Sequence, residues 1–262
     1  MDQQERRNLE QALQEAIEQN QFELYYQPQI DIKSGKLVGL EALLRWKRPE
    51  YRDVSPLAYI SVAEQTGAII PIGSWVLNEA CRTCLMWHSL FGVPFRIAVN
   101  VSAVQLQEDG FVDVVKQALD RSGLPPSYLD LELTESVAML QEDTLIQKLH
   151  ELKSIGVRLS LDDFGSGYSS LNYLINYPID TLKIDRTFTQ SLSSNSKTEV
   201  VLTCMLDLAH RLELEVIAEG VETEMQYAFY EQHNCDVVQG YYFSPPLPKP
   251  KTAMLLETLL EA

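Results

Sequence analysis

Between residues 75 and 240 the chain alternates segments of helical periodicity with short β-branched runs, and this alternation constrains the fold more than any other feature. Helical periodicity marks residues 75–91, 111–119, 145–155, 200–212 and 225–231, and strand-like runs fall at 96–101, 129–133, 158–161, 181–184, 215–218 and 237–238. Upstream, residues 22–30 read as an aromatic strand interrupted by Pro28, Ser34-Gly35 as a turn, and residues 36–44 as the returning strand of a hairpin. Two strands and six more make eight. The expected fold is therefore α/β, a modified (β/α)8 TIM-type barrel with one antiparallel strand near the N-terminus. Residues 4–19 carry Leu9, Leu13 and Ile17 on one helical face, so residues 1–20 read as a connector helix and residues 21–262 as the barrel domain.

Charge and composition narrow the function classes. A formal charge of −16 on 262 residues argues against a long nucleic-acid groove, because tracking a phosphate backbone needs a basic surface. A small phosphate-bearing ligand held by metal ions and a few local cations remains compatible with it. No apolar run is long enough to cross a bilayer and the N-terminus is unlike a signal peptide, so no membrane contact is expected from this segment. The expected location is the cytoplasm, or the cytoplasmic part of a longer protein. Cys81-Arg82-Thr83-Cys84 followed by His88 has ligand-like spacing, but without a second ligand pair it reads as buried helix-face cysteines.

The chemistry gathers where the strands end, which in a parallel barrel is the active-site face. Most telling is Leu159-Ser160-Leu161-Asp162-Asp163-Phe164-Gly165-Ser166-Gly167-Tyr168, a buried-strand pattern ending in adjacent carboxylates and a glycine-punctuated turn. Taken alone, that pair is as readily a helix cap as a site. The other strand ends offer Glu41, Asn100, Glu132 with Glu135, Lys183 with Asp185, Glu219 with Glu222, and Gln239. So many carboxylates on one rim would repel prohibitively without cations. Carboxylate and amide oxygens suit Mg²⁺ or Mn²⁺ better than zinc or copper, and none of the four histidines lies in these motifs. Two metals sharing a carboxylate, with a lysine nearby, suit phosphoryl-ester hydrolysis.

These residues stand in an order that resembles the EAL-domain family of cyclic di-GMP phosphodiesterases over residues 21–250. The resemblance rests on Tyr26-Gln27-Pro28, Glu41-Ala42-Leu43-Leu44-Arg45-Trp46, Ala63-Glu64-Gln65-Thr66-Gly67, Asn100-Val101-Ser102 and Glu132-Leu133-Thr134-Glu135. It continues through residues 162–170, Leu182-Lys183-Ile184-Asp185, Ala218-Glu219-Gly220-Val221-Glu222 and Gln239-Gly240-Tyr241. It implies that Glu41, Asn100, Glu132 and Asp162 hold one divalent cation, and that Asp162 bridges to a second held with Asp163 and Glu219. It further implies that Lys183 positions and deprotonates the attacking water, that Gln239 joins that water network, and that Glu135 anchors the loop at 162–170. Gln27, Arg45, Asp185 and Glu222 match positions that contact the nucleotide, while Glu64 reads as structural. A homodimer is implied in the same way, and the connector helix at 1–20 adds the expectation of regulatory domains in a longer protein.

The loop at 48–55 departs from the family pattern, as do Ser166 and Pro245, but no metal ligand is lost. The resulting expectation is metal-dependent hydrolysis of cyclic di-GMP to linear pGpG, with two cations, Mg²⁺ or Mn²⁺. The alternatives are a catalytically idle cyclic di-GMP receptor, an enolase-like barrel with a lysine base, and a scaffold for protein contacts. Asp163, a second adjacent carboxylate, weighs against the enolase-like arrangement.

Overall fold

A closed ring of eight strands organises the protein in the computed structural model, which describes residues 3–48, 54–134, 137, 143–165, 172–192 and 196–261. Strand β1 (Phe22–Asp31) runs antiparallel to both its neighbours, β2 (Leu37–Trp46) and β8 (Val237–Gln239). The intervening strands are β3 (Arg96–Val101), β4 (Leu129–Thr134), β5 (Arg158–Phe164), β6 (Thr181–Ile184) and β7 (Glu215–Glu219). From β2 to β8 every pairing is parallel, which is the arrangement the helical crossovers require. The expected barrel with one antiparallel strand is the one observed.

Alternation along the strands sorts the side chains into two layers. One face of each strand, including Val99, Leu131, Leu159, Leu182 and Val216, packs into a continuous apolar core shared with the helices. The other face lines the barrel interior, which is largely polar. At the N-terminal end of the parallel strands, Glu215 accepts two hydrogen bonds from Arg96, at 2.6 and 3.0 Å, and one from Arg158 at 2.8 Å. Beside them, buried Asp130 accepts from Ser160 Oγ at 2.7 Å. These ion pairs close the bottom of the barrel and leave the opposite mouth for the acidic residues.

Several elements differ from the sequence expectation for identifiable reasons. Strand β1 passes through Pro28 without a break, because pairing on its outer edge covers Tyr25–Tyr26 and Gln29–Asp31 and skips the proline. The helix expected from residue 75 begins at Ile69, with Pro71 in its first turn, where a missing N–H breaks no hydrogen bond. The helix Pro56–Thr66 escaped the sequence reading; Ser55 caps its start and Gly67 ends it in the left-handed region. The C-terminal helix Lys249–Glu261 was also unanticipated. The N-terminal helix Gln3–Glu18 buries Leu9 and Leu13, and Glu15 pairs with Arg48 at 3.1 Å. Among the described residues no helix is long and apolar enough to cross a membrane.

Cys81 and Cys84 are helix-face core residues, as the lack of a second ligand pair favoured, and His88 packs beside the Phe95 backbone. Burial pushes the thiols of Cys81 and Cys235 up to about 12 and that of Cys84 still higher, whereas Cys204 is exposed. One thiol of the four should therefore react rapidly with Ellman's reagent in the native protein, and the other three only on unfolding. Two or more fast thiols would contradict this packing.

Candidate active site at the barrel mouth

Register brings the strand-end residues together. Asn100 lies beside Glu132 on neighbouring strands, Glu219 beside Gln239, and Gln27 opposite Glu41. Adjacent residues on a regular strand point to opposite faces, so Asp162 and Asp163 could not both serve one site without an irregularity. The irregularity is present. Pairing passes from Leu161↔Leu182 to Phe164↔Ile184, which inserts one extra residue in β5. Asp163 takes a φ of 57°, a left-handed conformation that aspartate tolerates better than most residues. As a result Asp162, Asp163 and Glu219 can each offer a carboxylate oxygen within 4.8 Å of the others.

Lys183 sits at the centre with no solvent exposure. Its Nζ is 2.8 Å from Glu219 Oε1, 2.9 Å from Glu132 Oε1, 3.2 Å from Asp162 Oδ1 and 3.9 Å from Glu41 Oε2. Burial alone would discharge it, but these carboxylates outweigh burial and hold the ammonium well above the ordinary lysine range. At an effective dielectric of about 20, two unit charges 4 Å apart interact by about 4 kcal/mol. One ammonium therefore cannot balance five carboxylates. Burial, only partly offset by Lys183, raises Glu132 and pushes Glu219 up to about 8. Burial and the neighbouring Asp162 push Asp163 up to about 6. Glu41 differs: although burial opposes it, Lys183 and hydrogen bonds from Gln239 and Asn100 lower it overall.

The residues present fit divalent cations. Buried Glu132 Oε2 accepts no hydrogen bond among the described residues, an arrangement costly for a carboxylate unless a cation claims it. Asn100 Nδ2 donates to Glu41 Oε1 at 2.7 Å, which turns the amide nitrogen away from a cation and leaves the oxygen as its ligand atom. All the donors are hard oxygens.

Of the residues assigned to the nucleotide, Gln27 is buried and its Nε2 donates to the Ser244 carbonyl at 3.1 Å. Arg45 lies over the Tyr25 ring at 5.4 Å and reaches the mouth from β2. Glu222 is exposed on the loop after β7, whose turn is pinned by Gln226 Oε1 accepting from the Glu222 and Thr223 amides. Asp185 caps the helix Arg186–Ser191 through Thr187 N at 3.0 Å, and its carboxyl also neighbours Asp163. Glu135 and residues 166–171 lie outside the described residues. Sequence reasoning passed over Gln29, whose amide backs Gln239 at 3.0 Å; its period-two spacing from Gln27 was the available signal. Gly240 is required by close approach, since a Cβ there would lie 2.1 Å from the Val221 carbonyl oxygen.

Two cavities flank the acidic centre, and both reach Glu41, Arg45 and Asp162. One, of about 460 Å³, is walled by Leu57, Ile60 and Ile69; the other, of about 410 Å³, by Arg186, Glu222 and Tyr241.

Comparison with known proteins gives a consistent result. The EAL domain family matches residues 10–246. The Pseudomonas aeruginosa protein named bifunctional diguanylate cyclase/cyclic di-GMP phosphodiesterase MucR is 42% identical over 245 residues, covering 94% of this chain and 36% of that protein. A solved PaMucR phosphodiesterase in complex with c-di-GMP superposes with a TM-score of 0.89 at 42% identity, covering 94% of this chain and 99% of the other. The EAL enzyme Bd1971, in its cAMP- and cyclic-di-GMP-bound form, gives a TM-score of 0.92 at 32% identity, covering 97% of this chain and 69% of that one. The chain spans about a third of the length of the curated relatives it matches.

The raised carboxyls set a pH dependence. Asp163 and Glu219 keep protons in the folded chain that the unfolded chain would release, so the stability they contribute is lost as pH rises through about 6 and about 8. In EDTA the Tm should fall across that window, and Mn²⁺ should raise it more at pH 8 than at pH 6. A Mn²⁺-induced shift in Tm that is larger at pH 6 would contradict the assignment.

Proposed function

Because the chain belongs to the EAL domain family, we propose that it hydrolyses cyclic di-GMP to linear pGpG with two divalent cations. The observation that carries this reading is the convergence of Glu41, Asn100, Glu132, Asp162, Asp163, Lys183, Glu219 and Gln239 on one mouth, with the carboxylates packed around a single buried ammonium. Glu41, Asn100, Glu132 and Asp162 would hold one cation, and Asp162, Asp163 and Glu219 the other. When bound, the cations supply Lewis-acid polarisation of the phosphodiester and charge neutralisation on its oxygens.

The chain's own groups account for the rest of the chemistry. Water adds to phosphorus as one P–O3′ bond breaks; its hydroxyl stays on the new 5′-phosphate and the 3′-oxygen leaves with a proton. Lys183 is held as an ammonium by its carboxylate neighbours, so in that state it orients the water by donating to it and offsets charge. Taking the water's proton requires those carboxylates to be engaged elsewhere, since their pairing is what keeps Lys183 charged. Gln239 directs its Nε2 toward Glu41 and Gln27, on the side where the water network would lie.

The two cavities suit a ligand with two bases joined through a central phosphate ring. In this reading each base occupies one lobe, with a phosphodiester over Glu41 and Asp162. Gln27, Arg45, Asp185 and Glu222 contact the nucleotide, Arg45 from a position that borders both lobes. The same reading has two copies of the chain pairing and regulatory domains attached to it. The length of the matched relatives supports the second of these.

Hydrolysis by the purified chain with Mg²⁺, Mn²⁺ or EDTA tests the reading. Formation of pGpG should need the metal and fall at least about 100-fold in both Glu41→Ala and Lys183→Ala. Tight binding without turnover under every metal condition would favour the receptor alternative, and neither binding nor turnover by the folded, metal-loaded protein would remove the substrate assignment.

A further inference from the structure

A row of buried amides runs behind the mouth. Gln29 Nε2 donates to Gln239 Oε1 at 3.0 Å, Gln239 Nε2 donates to Gln27 Oε1 at 3.1 Å and to Glu41 Oε2, and Gln27 Nε2 donates to the Ser244 carbonyl. Gln27, Gln29, Glu41 and Gln239 are all buried. The direction of the row is fixed at its central amide, Gln239. An ionised carboxylate only accepts, so Gln239 must turn its NH₂ toward Glu41 and its carbonyl away. That carbonyl faces Gln29, which must therefore present its own NH₂.

We propose that Gln29 is a positioning residue, which locks the Gln239 amide with its NH₂ toward Glu41 and the reacting water. The backbone prepares this contact. Register sets Gln29 opposite Gln239 on one side and Gly39 on the other, with a pairing irregularity immediately after it. A Cβ on Gly39 would lie 2.4 Å from Gln29 Oε1, so the missing side chain is the space in which the Gln29 amide oxygen sits. With Glu41 accepting from the central Gln239 and the Ser244 carbonyl closing the end at Gln27, the row has one satisfied orientation. Removing the Gln29 donor frees Gln239 Oε1 and with it the torsion that aims Nε2.

The kinetic consequence rests on the hydrolysis proposed above; the orientation of Gln239 does not. Two variants separate donor from filler: Gln29→Met keeps the length without the donor, and Gln29→Glu keeps the shape but sets a carboxylate against the Gln239 carbonyl. In amide NMR spectra, the Gln239 side-chain NH₂ pair, identified by its loss in Gln239→Leu, should be slowly exchanging in the parent. It should shift and exchange faster in Gln29→Met. With Mn²⁺ and cyclic di-GMP, kcat should fall about tenfold in Gln29→Met and about 100-fold in Gln29→Glu, with KM changed less than about twofold. An unchanged Gln239 pair in Gln29→Met would overturn the proposal. So would equal losses of kcat in both variants that track their loss of Tm, since that is the signature of packing alone. Should the parent chain not hydrolyse cyclic di-GMP, the functional reading falls, and the NMR result alone decides the role of Gln29.

Discussion

The ammonium of Lys183, buried among Glu132, Asp162 and Glu219 at 2.8 to 3.2 Å, is the interaction on which the rest of the mouth depends. A charge taken out of water is tolerated only where partners of opposite sign are held in good geometry. The barrel supplies that geometry, because four neighbouring strands deliver their ends to one ring and the register of each pair is fixed by an apolar outer face. The ammonium in turn eases the crowding of several carboxyl groups in one space, although burial still raises Glu132, Asp163 and Glu219. Lys183 balances only part of their charge. The residue left over is the physical basis for assigning cations to this mouth.

The extra residue in β5 converts a structural ring into a chemical one. Without it, Asp163 would point into the helical layer, and Glu219 would face one carboxylate of β5 instead of two. The strain of a left-handed aspartate is localised where the chain needs two adjacent side chains on one side. Polarity is divided along the barrel axis in a similar way. At the bottom two guanidiniums, Arg96 and Arg158, face two carboxylates, Glu215 and Asp130, whereas the carboxylates at the mouth exceed their cation. The numbers of opposite charges match at the bottom and not at the mouth, which is why the proposed cations are assigned there.

Much of this was legible in the residues. Strand-end carboxylates alternating with apolar partners located the mouth, and adjacent Asp162 and Asp163 were legible as a cap or a site, but the extra residue that turns both to one side was not. Other features were not legible. The helix from Ile69 carries Pro71 and Gly73 in its first turns, and breakers near a helix start look the same in sequence as breakers that exclude a helix. Pro28 reads as a strand interruption until the gap between β8 and the short strand Leu247–Pro248 on the edge of β1 is known. Asp185 serves as a cap in this structure, a role that its position before Arg186–Ser191 permitted but did not distinguish from a nucleotide contact. The spacing of Gln29 from Gln27 marks it as facing the same side of β1, but its partner Gln239 lies 210 residues away, so the contact itself is not in any local pattern.

In the proposed function the unbalanced carboxylates hold two cations, one on either side of Asp162. Anomalous diffraction from crystals of the chain equilibrated with Mn²⁺ tests it most directly. Two peaks are predicted, one among Glu41, Asn100, Glu132 and Asp162 and the other among Asp162, Asp163 and Glu219, with a separation of about 3.5–4 Å. A fully equilibrated crystal with no peak at this mouth, or with ions only on surface carboxylates, would contradict the claim.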